Sequence, residues 1–337
     1  MNTDNKLSKI VFIVPYYGKI PKYFAAWLLS VEYNPTINFI LVTDIKLNQT
    51  LPENVMVLRW TWKELVNKIQ EPFGFKINVK TPYNLCDFRP AYGLIFKDYI
   101  KEYDFWGNCD IDQVFGDIRR FITEDILKNN DIIGYLGHFS LRRNIPKINE
   151  MFKLAGSLFD YKTVFSTDEW YAFDEYTGIK QIVEKNNISH YFNNKYIADA
   201  SIIHNQMKAG KLNYKHQVFY WENGKVYRAY IADNKIHRQE YMYLHFQKKN
   251  PVPRFNISKS TKAFYIFSDA FVEKKPGMPE MKDIINNSHW RGCGYEMYES
   301  VKYYGNKLKM FATLNKAQRR VWIKQRLYRK RDFHKYA

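Results

Sequence analysis

The first hundred residues alternate apolar runs and amphipathic stretches in a way that suits a parallel sheet. Ile10–Val14 is an unbroken apolar run rich in β-branched residues, which predicts a strand buried on both faces. Pro15-Tyr16-Tyr17-Gly18 breaks it. Between Pro21 and Glu32, the residues Phe24, Trp27, Leu28 and Val31 recur at helical spacing on one face. Asn34-Pro35-Thr36 ends that helix. Ile37–Thr43 predicts a second buried strand, closed by Asp44, and Val55–Trp60 predicts a third. Trp62–Gln70 reads as a short helix. This βαβ rhythm predicts a three-layer α/β domain with a mainly parallel sheet. The loops after the carboxyl ends of such strands face the ligand. Tyr16 and Gly18 are therefore candidates for a nucleotide pocket, and Asp44 for a ribose or base contact. Ordinary loop and turn residues are the competing reading.

The next block carries the chemistry. Asp87 caps a predicted helix with Pro90 in its first turn, continued by Leu94, Ile95, Tyr99 and Ile100. Asp87 and Arg89 then sit at its amino end, where the helix dipole favours an anion. One helix later an aromatic run ends in Asp110-Ile111-Asp112. Side chains alternate along a strand, so the two carboxylates point the same way and can share a hard divalent cation. A solvated turn is the alternative for any isolated Asp-x-Asp. Asp131–Leu136 predicts a further strand. It delivers His138, Arg143 and Asn144 either to an acceptor or to a merely solvated basic loop.

Asp174 and Glu175 form a carboxylate pair suited to a general base, or to the acidic start of a helix. Val218–Trp221 and Val226–Ile231 flank Asn223-Gly224, which predicts a hairpin with a type I′ turn. Tyr241–Lys249 is an aromatic alternation that delivers His245, an acceptable third ligand for manganese, and Lys248, a point charge for a diphosphate.

Composition narrows the function classes. The formal net charge is +18, which calls for an acidic partner. From Val301 to the end there are twelve Lys and Arg against Asp332 alone, so +11 of the +18 lies there. Val301, Tyr304, Leu308 and Phe311 recur there at helical spacing. An amphipathic helix on an anionic membrane surface fits, with a solvated or RNA-contacting tail as the competing view. No Walker-type loop, RNP motif or zinc module accompanies it, so no nucleic acid is expected. The three cysteines show no CxxC pairing, which argues against a disulfide scaffold or zinc site and suits a reducing cytoplasm. The polar start and the lack of a long apolar stretch predict neither signal peptide nor membrane span. Aromatics make up 18%, led by 27 Tyr, a composition that suits sugar contacts but that codon bias also produces.

Cys86-Asp87-Phe88-Arg89 with Tyr92-Gly93, then Asp104–Asp112, then His245-Phe246-Gln247-Lys248 together resemble bacterial GT-A-fold glycosyltransferases of capsule and O-antigen synthesis. The set is distantly similar to mannosyltransferases with a DxD motif. The family's Gly-Gly-Xaa-Tyr lead-in is replaced by Tyr103-Asp104-Phe105-Trp106-Gly107. The resemblance implies a GT-A-like α/β domain over residues 1–270, with a donor half to about 136 and an acceptor half after it. A linker over 271–300 and a basic amphipathic helix over 301–337 then follow. It implies Mn2+ or Mg2+ on Asp110, Asp112 and His245, and a UDP-sugar donor met by Asp87, Arg89, Asp110 and Lys248. It further implies transfer of a hexose, galactose or glucose, to a glycan or lipid-linked glycan acceptor near Asp174 and Glu175, with inversion favoured over retention and Asp174 the expected base of an inverting enzyme. The expected location is cytoplasmic and peripheral on the membrane. Nucleic-acid binding and a silent scaffold in envelope assembly are the alternative functions.

Overall fold

The computed structural model describes residues 6–209 and 212–333. Its organising feature is strand β1 (Ile10–Pro15), flanked by β2 (Ile37–Val42) and β4 (Phe105–Cys109), both parallel to it. Beyond β2 lies β3 (Val55–Leu58), also parallel. Beyond β4 come β7 (Phe139–Arg143), β6 (Ile132–Leu136) and β8 (His190–Tyr191), giving the order β3-β2-β1-β4-β7-β6-β8. Only β7 runs against the rest, because it pairs antiparallel with both β4 and β6. This mixed, mainly parallel sheet flanked by helices is the α/β architecture that the sequence pattern predicts.

Both faces of the sheet are covered, which is why β1 is apolar throughout. Ile10, Phe12 and Val14 pack with Trp27, Phe39 and Phe139 on one face. Val11 and Ile13 pack with Phe88, Tyr92, Phe96 and Trp106 on the other. The segment after Asp87 is not the single helix its spacing predicts. It is a chain of short turns, Leu85–Phe88, Arg89–Ala91 and Tyr92–Ile95, with Pro90 at the break. Proline lacks the N–H for the helical ladder and crowds the carbonyl four residues back.

A second sheet has the order β12-β11-β10-β15-β16-β14. Its strands are β10 (Gln217–Glu222), β11 (Lys225–Ala232), β12 (Lys235–Tyr241), β14 (Val252–Pro253), β15 (Ala263–Ile266) and β16 (Ala270–Glu273). The predicted hairpin is there: Asn223 and Gly224 both have positive φ, at 46° and 78°. Asp233 and Asn234 repeat the device between β11 and β12. Phe219 and Trp221 pack on Ala26 and Leu29 of the helix Phe24–Glu32, joining the two sheets.

Between them lies a three-stranded ribbon, β5 (Gln113–Phe115), β13 (Tyr243–His245) and β9 (Ile197–Asp199), in the order β5-β13-β9. His245 is level with both Gln113 and Asp199 in this register.

The expected linker over 271–300 is corrected in part. It contains the end of β16 and the helix Met281–Asn287, whose Ile284 is buried against Val218 and Tyr220. Apolar side chains with a face to cover do not stay solvated. The expected single tail helix is two, Cys293–Thr313 and Lys316–Phe333. Asn315 and Gln318 exchange side-chain-to-backbone bonds across the start of the second, a capping arrangement that restarts the helix. Residues 334–337 lie outside the described ones. Among the described residues no helix is long and apolar enough to cross a membrane.

At Gly107 the strands β4 and β7 approach so closely that an added Cβ would overlap the Ser140 carbonyl oxygen and crowd Leu141 and Phe12. Gly107→Ala is expected to destabilise the fold by about 2–3 kcal/mol, in line with other overpacked cores. Denaturant unfolding followed by circular dichroism checks this; an unchanged midpoint would contradict the close approach.

Candidate metal and donor site

Strand β4 stops at Cys109, so Asp110-Ile111-Asp112 forms the bend into β5 rather than the strand end that the alternation argument assumes. The two carboxylates nevertheless share a side, because Ile111 between them is buried in the apolar core. The backbone of the bend is held at both ends. Asp110 donates its N–H to the His138 carbonyl at 3.2 Å, and the Asp112 carbonyl accepts the Phe246 N–H at 2.8 Å. That second bond places the residue before Phe246, His245, beside Asp112.

The Nε2 atom of His245 lies 3.4 Å from Asp112 Oδ1, and its Nδ1 is 2.8 Å from Asp199 Oδ1. Ligand atoms of Asp110, Asp112 and His245 lie within 4.8 Å of one another, the compactness that one ion requires. Asp199 was not anticipated from sequence. A short apolar pair, Ile197-Ala198, ending in an acid was the one available signal. Its carboxylate also accepts from Gln247 Nε2 at 2.8 Å. A carboxylate behind the imidazole sets the tautomer and aims the other nitrogen at the ion. Burial opposes charge on His245, but Asp112 and Asp199 outweigh it and push its pKa up to about 10 when no ion is present.

His138, expected on the acceptor side, instead stacks on His245 with ring centroids 4.0 Å apart. Its Nδ1 lies 3.3 Å from Gln113 Nε2 and 3.1 Å from the Tyr243 hydroxyl. Its Nε2 is buried with no hydrogen-bond partner among the described residues and lies 4.0 Å from Asp199. Burial, then the neighbouring His245, hold the His138 pKa well below the usual imidazole range.

Arg89 joins this cluster to the second carboxylate pair. Its guanidinium pairs with Asp110 and, at 2.9 Å, with Asp174. Asp174 is only 3% exposed, and burial raises its pKa against the pull of Arg89. Glu175 accepts the Gly137 N–H at 3.0 Å. The Gly137 carbonyl accepts from Asn108, whose Oδ1 in turn accepts from Ser140 and the buried Arg142. Gly137 must be glycine here, since a Cβ would collide with Asp174 and crowd Arg89 and Glu175. Asp87, expected to contact a donor, is engaged by backbone in this structure. It is buried and accepts the N–H groups of Tyr171 and Phe173 at 2.8 and 2.7 Å, clamping the backbone that leads into Asp174. Burial, then the nearby Asp174, raise its pKa to about 8.

Tyr16, Gly18, Asp44 and Lys248 lie on loops after their strands. Tyr16 follows β1, with its pKa raised by burial and by the charge of Asp112. Tyr23, unanticipated, stands in the fields of Asp112 and Asp110 as well. Gly18 adopts φ +116°, which side chains avoid. Asp44 and Lys248 are exposed, Asp44 after β2 and Lys248 three residues past His245. Arg143 and Asn144 do not reach the site. β7 is antiparallel to β4, so Arg143 pairs with Phe105 at the far end of the strand from Asp110. Arg143 binds Asp131 at 2.7 Å and Asn144 caps the carbonyls of Ile100 and Tyr103.

The cluster gathers Asp87, Asp110, Asp112, Asp174, Glu175 and Asp199 against Arg89, Arg142 and His245, inside a chain of net charge +18. A local excess of acid in a basic protein suits a cation, and mixed oxygen and imidazole donors suit Mn2+ or Mg2+.

The sequence profile of a family of unknown function (DUF6625) matches residues 12–275. No curated protein matches the chain in sequence. Among solved structures the chain is similar to a galactosyltransferase, LgtC, in complex with donor and acceptor sugar analogs. That match has a TM-score of 0.33 and 9% identity, covering 56% of this chain and 75% of that one. It is also similar to mouse xyloside xylosyltransferase 1 in its apo form, with a TM-score of 0.36 and 10% identity. Here 57% of this chain and 88% of that one are covered.

Titration calorimetry with Mn2+ tests the cluster. Asp112→Ala is expected to abolish binding, and Asp199→Ala to weaken it by about 10- to 100-fold, as the loss of an imidazole's supporting carboxylate does elsewhere. Equal affinity in the Asp199 variant would show that this carboxylate does not orient the ligand.

Proposed function

The chain belongs to a family of unknown function, DUF6625, and we propose that it is a metal-dependent glycosyltransferase using a UDP-hexose donor. The observation that carries this reading is the gathering of Asp110, Asp112 and His245 at the carboxyl edge of a mainly parallel sheet. That edge is where nucleotides bind in open α/β folds. When bound there, Mn2+ or Mg2+ supplies charge neutralisation to a diphosphate leaving group. Lys248, exposed three residues after His245, adds a point charge for the same group. Tyr16 and Asp44, on the loops after β1 and β2, border the nucleoside.

Arg89 holds Asp110 on one side and Asp174 on the other, so it sets the spacing between leaving-group and acceptor sides. Asp174, buried and paired, is a positioning residue in this scheme. Glu175, half-buried and anchored through Gly137, is the base. It takes the proton of an acceptor hydroxyl as that oxygen bonds to the anomeric carbon. The bond from that carbon to the diphosphate breaks, and UDP leaves with its electron pair. Attack opposite the leaving group inverts the anomeric centre.

The acceptor in this reading is a glycan or lipid-linked glycan of bacterial surface polysaccharide, met at the cytoplasmic face of the membrane. The helix Cys293–Thr313 supports this. It buries none of its residues, and Met297, Val301, Tyr304 and Leu308 form an exposed apolar stripe between Lys302, Lys307 and Lys309. Such a helix lies in a lipid interface, with each nearby Lys contributing about 1 kcal/mol on an anionic leaflet.

Thermal unfolding with UDP and Mn2+ together is expected to shift the midpoint upward, with little shift from either alone. Asp112→Ala is expected to lose that shift and UDP-sugar turnover. Glu175→Gln is expected to keep the shift and lose transfer. Turnover that persists in chelator would reject the metal role. Vesicle flotation tests the membrane part: the protein is expected to float with vesicles containing phosphatidylglycerol. Leu308→Glu with Val301→Glu is expected to leave it in solution, and flotation that survives both changes would reject the stripe.

A further inference from the structure

Two aromatic rings stand exposed just outside the acceptor-side carboxylates. Tyr83, in the turn Pro82–Asn84, is 60% exposed, and Trp170 is 40% exposed. Their ring centroids lie 5.9 Å apart with planes tilted by 50°. Neither ring is on a loose loop. Asn84, next to Tyr83, caps the turn through Lys80 and Thr81 and donates to the Asp168 carbonyl. Lys80 closes the same junction by pairing with Asp168. The Trp170 carbonyl accepts from Gln325 of the last helix at 3.0 Å, and the next residue, Tyr171, is clamped by Asp87. The fold therefore holds two large apolar rings rigidly in water, where burial would have been favourable.

From this we propose that Tyr83 and Trp170 form a stacking platform for a pyranose ring of the acceptor, a site that deepens the transferase reading and rests on it for its role. The apolar C–H face of a sugar covers aromatic carbon, while its hydroxyls reach polar neighbours. Those neighbours are acids: Asp168 and Glu169 on the Trp170 side, Asp174 and Glu175 on the inner side. Asp168 is paired with Lys80 and Asp174 with Arg89, so paired charge dominates the surround, which suits an uncharged sugar that hydrogen-bonds to both signs. Arg89 joins Asp110 to Asp174, which lies four residues after Trp170 on the segment that Asp87 clamps.

The test uses the full chain with UDP and Mn2+ present. Methyl β-galactoside, methyl β-glucoside, methyl β-N-acetylglucosaminide and lactose are titrated, with saturation-transfer NMR as the readout. At least one is expected to bind the parent protein and Tyr83→Phe alike. Tyr83→Ala and Trp170→Ala are each expected to weaken that binding by about tenfold, the scale of one lost aromatic contact. The thermal shift with UDP and Mn2+ is expected to stay unchanged in all variants, which also reports that they fold. Binding that survives loss of both rings, or no glycoside binding in a parent that responds to UDP and Mn2+, overturns the platform. A parent that ignores UDP and Mn2+ yet loses glycoside binding with the rings keeps the platform and rejects the transferase reading.

Discussion

The guanidinium of Arg89 is the hinge of the site. It is nearly buried, and it pairs with a carboxylate from the β4–β5 bend and another from the loop before the helix Ile179–Lys185. Asp174, only 3% exposed, could not be buried charged without it, because an unpaired buried carboxylate is strongly penalised. The cost of burying Arg89 itself is offset by the two acids, and its pKa stays well above the ordinary value. One cation thus ties the β4–β5 bend to the segment that carries Asp174, and Asp87 holds that segment from behind by gripping its backbone.

The three-stranded ribbon does the corresponding work on the metal side. It takes β5 from the end of the central sheet, β9 from the middle of the chain and β13 from beyond the second hairpin, and puts Asp112, Asp199 and His245 within bonding reach. The result is a side-chain cluster whose charge is opposite to that of the whole molecule.

The C-terminal helices bear on the same centre from outside. The first is tied to the segment after β9 through Glu296 with Lys208 and Glu299 with Asn205. The second packs Val321 against the core and holds the Trp170 carbonyl with Gln325. The tail that composition marks as merely basic is therefore also a brace for the loops around the site.

The first strands, the mainly parallel sheet and the Asn223-Gly224 turn were legible in the residues, because each depends on local periodicity or on short-range spacing, whereas the grouping of His245 with Asp110 and Asp112 was expected only through a family resemblance. Three things were not legible. Arg143 looked placed for an acceptor until the antiparallel course of β7 put it at the opposite edge. Asp87 looked like a ligand residue until two backbone N–H groups from residues 171 and 173 claimed it. Asp199 and the Tyr83–Trp170 pair carried no local mark, since their meaning lies in partners 46 and 87 positions away. A sequence by itself determines which faces must be buried and which turns are possible. Strand direction, and the choice of partner for a charge that has several within reach, are settled only when distant segments meet. The energy that decides them belongs to contacts that the linear chain does not contain.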